Sequence, residues 1–136
     1  MTIDTNANKR VVTRYIMEFW NGKNAAVLDE LLDPALQEYT YEPRKREGHE
    51  SMLARMNDAF AGHETIIEEI IAEGDTVAVC QTLRVTQSGP FSGIPNTGKH
   101  AEIGGYRFFK LKDGKIVSHR ALLDLSALLQ QIGATE

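Results

Sequence analysis

Long β-type runs joined by short glycine-containing turns fill the second half of this chain and constrain its fold most strongly. The pattern predicts strands over 65–72, 76–86, 100–111 and 115–123. Glu73-Gly74-Asp75 and Asp113-Gly114 supply residues that accept positive φ angles, as tight hairpin turns require. Because such turns join antiparallel neighbours, we expect the strands to pair in chain order, with a longer loop over 89–98.

Helical patterns dominate the first half of the chain. Apolar residues recur every three to four positions from Val11 to Trp20, which predicts a first helix that ends at Asn21-Gly22. A second, shorter helix is predicted over 25–32, where Asp33-Pro34 stops it. A short edge strand over 36–41 and a third helix, which follows Gly48 and closes at Ala61-Gly62, complete this half. This order predicts one α+β domain over residues 1–136.

The closing segment is amphipathic and predicts a short C-terminal helix that ends at Gly133. Its apolar face consists of Leu125, Leu128, Leu129 and Ile132. Three N-terminal helices cannot cover both faces of a long sheet, so we expect a curved antiparallel sheet to wrap around them on one side. The outer face of the sheet is then expected to form a homodimer.

Composition narrows the choice of partners and compartment. The formal net charge of −4 and the pI of about 5.6 give no general attraction to phosphate backbones, so nucleic acid is not an expected partner. The basic cluster Arg44-Lys45-Arg46 lies between Glu42 and Glu47, as in a solvated loop. The sequence has no apolar run long enough to cross a membrane and no secretion-signal pattern, so a cytoplasmic location without membrane contact is expected.

The concave side of a curved sheet can enclose a ligand. The wall of this cavity is expected to draw on five aromatic residues, namely Tyr15, Phe19, Trp20, Tyr41 and Phe109. Aromatic residues at helical spacing also pack as ordinary core, and the sequence leaves both interpretations open. The histidines lack the paired spacing of a metal site, and no phosphate-loop or dinucleotide glycine pattern occurs, so neither a metal nor a cofactor is predicted.

Several segments together resemble a known family. They are Phe19-Trp20-Asn21, Glu73-Gly74-Asp75-Thr76-Val77-Ala78, the loop over 89–98 (GPFSGIPNTG), Asp113-Gly114-Lys115-Ile116-Val117 and Leu128-Leu129-Gln130-Gln131-Ile132-Gly133. In this order they are similar to the SnoaL-like polyketide cyclases, within the nuclear-transport-factor-2-like (NTF2-like) superfamily of α+β cone folds. The resemblance implies a hydrophobic cavity, a small-molecule ligand, a dimer, and intramolecular aldol ring closure of a polyketide ester without metal or organic cofactor.

Two positions depart from the pattern of these cyclases. Aldol closure needs a proton donor near the substrate carbonyl, and the cyclases resembled here place an aspartate directly after a His-Arg pair. In this chain the residue after His119-Arg120 is Ala121. A histidine that the cyclases carry on the neighbouring strand corresponds to Arg107. Since arginine stabilises negative charge but does not exchange protons near neutral pH, Arg107 is expected to hold a carboxylate or enolate.

Three other residues are candidates for proton transfer or oxyanion binding. His119 shares a strand face with Ala121 and is a candidate general acid or base, with a structural histidine as the alternative. Asp124 is a further catalytic candidate, with a helix N-cap as the alternative. Tyr15 lies in a segment that resembles the oxyanion-binding segment of ketosteroid isomerases, with a core tyrosine hydrogen-bonded to protein as the alternative. Glu42 is a loose counterpart of the general base of those isomerases, and Gly104 stands at the position of their protonated aspartate.

Two functions from different classes follow. The first is a cavity protein that binds a small, mostly apolar, carbonyl-bearing molecule and cyclises, isomerises or dehydrates it. Its expected catalytic residues are His119, Arg107, Tyr15 and Asp124, and its expected substrate contacts are Phe19, Trp20, Tyr41, Glu42 and Phe109. The second is a non-catalytic ligand-binding or dimeric interaction module of the same fold, which the loss of acids at Ala121 and Gly104 favours.

Overall fold

The computed structural model describes residues 3–133 as helices packed on one curved sheet. The helices are α1 (Thr5–Arg14), which continues as a π-helical segment (Tyr15–Asn21), a 3₁₀ turn (Ala25–Val27), α2 (Leu28–Leu31), α3 (Arg46–Ala59) and α4 (Leu125–Gly133). The strands are β1 (Leu32–Glu38), β2 (Glu64–Glu73), β3 (Thr76–Thr86), β4 (His100–Lys112) and β5 (Lys115–Leu123). This is the predicted α+β architecture.

The sheet has the strand order β1-β5-β4-β3-β2, so that β2 to β5 form the predicted antiparallel meander. β3 and β5 have the predicted bounds. β1 lies at the edge, as expected, but it begins at Leu32 and runs parallel to β5, which makes the sheet mixed. An edge position tolerates Pro34, because a proline cannot donate a ladder hydrogen bond.

The helices depart from the predicted bounds in ways that matter for the interior. The last two turns of the first helix are π-helical and hold Tyr15, Phe19 and Trp20, all of them buried. The second helix is split into a 3₁₀ turn, which the Asn24 side chain caps, and the four-residue α2. α3 begins at Arg46, ahead of Gly48. Across residues 3–133, none of the helices combines the length and the apolar character that a membrane span needs.

Alternation along β4 separates an apolar concave face from the outer face. Odd-numbered positions such as Ile103, Arg107 and Phe109 are buried, whereas Tyr106 and Phe108 on the outer face are 60% and 54% exposed. Arg107 therefore lies on the buried face of the sheet, among apolar side chains. The outer face carries the aromatic residues that a solvated sheet face normally lacks.

The start of α3 packs closely against the chain that precedes it. A Cβ at Gly48 would overlap the carbonyl oxygen of Pro43 and would lie 3.1 Å from the Cβ of Tyr41. This close approach sets the position of α3, and with it the position of His49, relative to β1.

We predict that Gly48→Ala lowers the free energy of unfolding by about 1–3 kcal/mol, because the overlap with a backbone oxygen outweighs the gain in helix propensity. Urea unfolding measures this change. Gly62→Ala is the matched control, since a Cβ at Gly62 meets nothing within 4 Å. Equal stability of the two variants would show that the approach at Gly48 is not tight.

Candidate functional site

A continuous chain of buried hydrogen bonds crosses the concave core. The Tyr15 hydroxyl lies 2.7 Å from His49 Nδ1, and His49 Nε2 lies 2.5 Å from Glu38 Oε1. His119 Nδ1 is 2.9 and 3.0 Å from the two carboxylate oxygens of Glu38, and Arg107 Nη1 is 3.1 Å from His119 Nε2. All five side chains are buried.

The fold brings these residues together from five different elements. Glu38 and His119 are parallel partners where β1 meets β5, and Arg107 lies on the neighbouring strand β4. His49 comes from the first turns of α3, and Tyr15 opens the π-helical segment. The network therefore depends on the pairing of β1 with β5 and on the packing of α3 above it.

The chemistry of the partners fixes most of the proton positions. Because a guanidinium only donates, His119 Nε2 accepts from Arg107, and His119 Nδ1–H donates to Glu38. The carboxylate can only accept when ionised, so His49 Nε2–H donates to it as well. The remaining ring nitrogen, His49 Nδ1, pairs with the Tyr15 hydroxyl. Glu38 and Arg107 are thus opposite charges bridged by an imidazole.

The ionisation of these groups agrees with that proton arrangement. Burial alone raises the pKa of Glu38, but hydrogen bonds from His119 and His49 bring this pKa well below its usual range. Burial lowers the pKa of His119 to about 3, against the opposing hydrogen bond to Glu38. Burial also raises the pKa of Tyr15 well above its usual value. Near neutral pH, Glu38 is therefore an anion, His119 is neutral, and Tyr15 keeps its proton.

A cavity of about 450 Å³ lies beside this network. Much of its wall is apolar and includes Met52, Met56, Leu83, Phe91, Leu128 and Leu129. Its buried polar lining consists of Trp20, Tyr41, His63, Thr65, Gln81 and Arg107. This volume suits a small organic molecule, since ligand pockets range from roughly 300 to 1,000 Å³.

Arg107 joins the buried network to the cavity. Its Nε donates to Gln81 Oε1 at 2.8 Å, and its Nη1 donates to the Tyr41 hydroxyl at 2.7 Å. Its Cζ lies 5.2 Å from the centre of the Trp20 ring. Held by these partners and by His119, the guanidinium is 3% exposed and keeps its charge. The cavity wall thus carries a fixed, buried positive charge.

The structure distributes the predicted site residues between the wall and the core behind it. Arg107, Trp20, Tyr41 and Glu42 line the cavity, and Glu42 lies at an exposed position where it pairs with Arg44. The other five do not line it: Tyr15, Phe19, Phe109, His119 and Asp124. Phe19 and Phe109 pack against the Tyr15 ring, with centroids 5.3 and 5.4 Å away.

His119 lies in the hydrogen-bonded core and Asp124 caps a helix. The sequence offered these two roles as alternatives to catalysis. His119 lies behind Arg107, and partners occupy both of its ring nitrogens. Asp124 Oδ1 accepts from the backbone N–H of Ala127 at 3.0 Å, which makes Asp124 the N-cap of α4. Neither residue is among those that line the cavity.

Sequence reasoning missed Glu38, His49, His63 and Gln81. Glu38 pairs with a histidine 81 positions along the chain, and such a pairing leaves no local signal. Gln81 does leave a signal in the sequence. It occupies one of the alternate, otherwise apolar positions of β3, between Val79 and Leu83. A polar residue in that phase indicates a buried partner.

The histidines lack the sequence spacing of a metal site, yet the fold brings together three residues of types that can ligate a metal. Ligand atoms of Glu38, His49 and His119 lie within 4.8 Å of one another. The 2.5 Å separation of His49 Nε2 from Glu38 Oε1 is a hydrogen-bond distance, and Arg107 places a positive charge against His119. Because a cation would have to displace these bonds beside a guanidinium, we assign the cluster to hydrogen bonding.

We predict that the protein loses stability as the pH falls from 6.5 to 5. The unfolded chain takes up a proton at His119 near pH 6.5, whereas the folded chain resists this down to about pH 3. The stabilisation that a neutral, buried His119 provides is complete above the pKa of the unfolded chain. Its loss lowers the free energy of unfolding by up to ~2 kcal/mol over this pH range. Urea unfolding at a series of pH values measures the slope.

His119→Gln removes this titration while its side-chain amide can still accept from Arg107 and donate to Glu38, so we expect a flatter slope. His100→Gln is the matched control, because His100 is exposed at the start of β4. An unchanged slope in His119→Gln would contradict the assignment of a neutral His119.

The chain is similar over most of its length to several solved structures. A protein from Jannaschia sp. CCS1, assigned as a SnoaL-like polyketide cyclase, is 26% identical, with a TM-score of 0.87 over 100% of this chain and 98% of that chain. IdmH from Streptomyces antibioticus, assigned as a polyketide cyclase, is 25% identical, with a TM-score of 0.82 over 91% and 96%. TsrD from Streptomyces laurentii, at 24% identity and a TM-score of 0.86 over 98% and 100%, shows the same fold.

A search of curated proteins finds no significant match. The family model of the SnoaL-like polyketide cyclases matches residues 9–132, from α1 to α4. The curved mixed sheet, open at its edges, has the NTF2-like cone fold of the solved structures. The chain therefore belongs to the SnoaL-like polyketide cyclase family.

Proposed function

We propose that the chain binds a small, mostly apolar, carbonyl-bearing molecule in the cavity and acts on it by cofactor-free chemistry of the cyclase or isomerase type. The observation that carries this proposal is the buried guanidinium of Arg107 on a largely apolar wall. A carbonyl oxygen that turns into an enolate gains negative charge, and a fixed cation in a dry site stabilises that charge without reorganising. Family membership supports a substrate of this class.

Tyr41 supplies the proton donor in this proposal. Its oxygen already accepts from Arg107, and within residues 3–133 its hydroxyl proton has no acceptor. This proton is free to bind the ligand oxygen that Arg107 attracts, so that two donors meet one acceptor. His119, Glu38, His49 and Tyr15 act as positioning residues that hold Arg107, whereas Asp124 keeps the N-cap role.

A non-catalytic binding module of the same fold is the second candidate. Ala121 favours it, because this residue lines the cavity at the position where the aldol cyclases carry their acid. Both candidates place the carbonyl oxygen at Arg107. They differ in whether the bound ketone passes an α-proton to solvent water and regains one from it, while Arg107 and Tyr41 stabilise the enolate oxygen, so one experiment separates them. Both candidate functions are compatible with the cytoplasmic location that the sequence predicts.

We predict that Arg107→Met weakens the binding of 1-tetralone, an apolar aromatic ketone, by about tenfold, because a charge-assisted hydrogen bond is lost. The quenching of Trp20 fluorescence measures binding, since Trp20 is the single tryptophan and lines the cavity. Arg84→Met is the matched control, because Arg84 is exposed on β3 and pairs with Glu102.

Tyr41→Phe tests the same oxygen site without removing a buried charge, and we expect several-fold weaker binding. Deuterium uptake by bound 1-tetralone in D₂O, followed by mass spectrometry, then separates the two candidates. Faster uptake with the wild-type protein, lost in Tyr41→Phe, supports catalysis. Binding without uptake supports the module. Unchanged affinity in both Arg107→Met and Tyr41→Phe would refute the proposal.

We further propose that the outer sheet face joins two copies of the chain. Tyr106, Phe108 and Ile71 are 60%, 54% and 65% exposed there, although such side chains are normally buried. An apolar face that meets its own copy forms a closed, twofold interface.

We predict that Phe108→Glu converts a dimer into a monomer, because it places a charge in the middle of this apolar face. Light scattering coupled to size-exclusion chromatography measures the mass. Met17→Glu is the control, since Met17 is 50% exposed on the π-helical segment and does not belong to the sheet. A monomeric wild-type protein, or a dimer that survives Phe108→Glu, would refute this interface.

A further inference from the structure

His63 is a cavity residue with one nitrogen already engaged. It is 5% exposed and lies directly before β2. Its Nε2 is 2.8 Å from Asn57 Oδ1. An amide oxygen only accepts, so Nε2 carries the proton, and the other nitrogen of a neutral ring holds a lone pair.

That lone pair has no partner in the protein. Within residues 3–133, His63 Nδ1 is buried and makes no hydrogen bond. Burial, assisted by the positive charge of Lys23, lowers the pKa of His63 to about 4, so the ring is neutral near neutral pH. His63 Nδ1 is therefore an unused hydrogen-bond acceptor in a side chain that lines the cavity.

Gln81 is the complement of His63 on the same wall. Its Oε1 accepts from Arg107 Nε, which identifies its other atom, Nε2, as the donor. Within the described chain, this Nε2 is also buried without a partner. The Trp20 ring lies 6.5 Å from the His63 ring and 5.2 Å from Cζ of Arg107.

Three buried polar groups of cavity-lining residues are unpaired in the described part of the chain, namely His63 Nδ1, Gln81 Nε2 and Trp20 Nε1, and they need an explanation. Nearly all buried polar groups in proteins are hydrogen-bonded, and each exception costs free energy in the folded state. All three belong to residues that line the same cavity, so a molecule in the cavity can satisfy them after a small movement of these side chains. Such a molecule must offer an acceptor near Gln81 and a donor near His63.

We propose that the cavity selects a neutral hydroxy ketone, with the ligand hydroxyl donating to His63 Nδ1 and the ligand carbonyl oxygen accepting from Gln81 Nε2 and Arg107. This inference rests on the proposed function, because it takes the carbonyl at Arg107 as given and names the second polar group of the ligand. His63 is then a specificity residue, and Asn57 fixes the tautomer that makes His63 an acceptor.

The experiment compares three kinds of apolar ketone on the full chain. 1-Tetralone has the carbonyl alone, its 5-, 6- and 7-hydroxy derivatives add a hydroxyl at three positions, and the matching methoxy compounds keep the oxygen without its proton. Isothermal titration calorimetry measures each dissociation constant. We expect at least one hydroxy compound to bind about tenfold more tightly than both 1-tetralone and its methoxy partner, since a buried acceptor gains its missing donor.

Variants then identify the residue that is responsible for the tighter binding of the hydroxy compound. His63→Phe keeps an aromatic ring without an acceptor and is expected to abolish the hydroxyl preference. His100→Phe, at an exposed histidine, is expected to retain it. Circular dichroism checks that each variant is folded, and the wild-type ligand series tests the proposal even if His63→Phe does not fold.

The outcomes separate this inference from the proposed function. Tetralone binding that depends on Arg107 but shows no gain from any hydroxyl would overturn the role of His63 alone, and would indicate that water satisfies Nδ1. A hydroxyl gain that survives His63→Phe would do the same. Failure of all the ketones to bind would overturn the inference and the proposed function together.

Discussion

The structure depends on one ionised carboxylate in its core. Burying the charge of Glu38 is unfavourable unless every lone pair has a donor. The protein supplies His49 and His119 on one side and the backbone N–H groups of Thr40 and Tyr41, each 3.0 Å from Oε2, on the other. Because the backbone donors lie two and three residues after Glu38, the carboxylate also shapes the turn that carries Tyr41 to the cavity.

The carboxylate acts on the cavity through Arg107. A lone guanidinium in this apolar wall would be costly to bury, but Glu38 balances its charge across the His119 ring without contacting it. The positive end of this separated pair is therefore left at the cavity. Groups coupled in one buried network do not contribute additively, so truncating His119 should weaken the site through the placement of Arg107 rather than through a lost catalyst.

Local patterns predicted the strands well, because alternation and tight turns are properties of neighbouring residues. The bounds of β3 and β5 follow from them directly. The parallel pairing of β1 with β5 left no such pattern, and without it neither Glu38 nor the burial of His119 could be inferred. Helical spacing likewise could not separate Trp20, which lines the cavity, from Phe19, which packs behind it.

Ala121 explains why the charge of Arg107 is available to a ligand. Ala121 and Arg107 are direct partners in the β4–β5 register, and both line the cavity. An aspartate at position 121 would face the guanidinium across the strands and pair with it, since directly opposed residues share one face. The aldol cyclases resembled here combine an aspartate at this position with a histidine where this chain has Arg107. Replacing both removes the two proton-exchanging side chains of the cyclases and leaves a fixed positive charge at the cavity, and this change fits an enolate or carbonyl oxygen bound at Arg107.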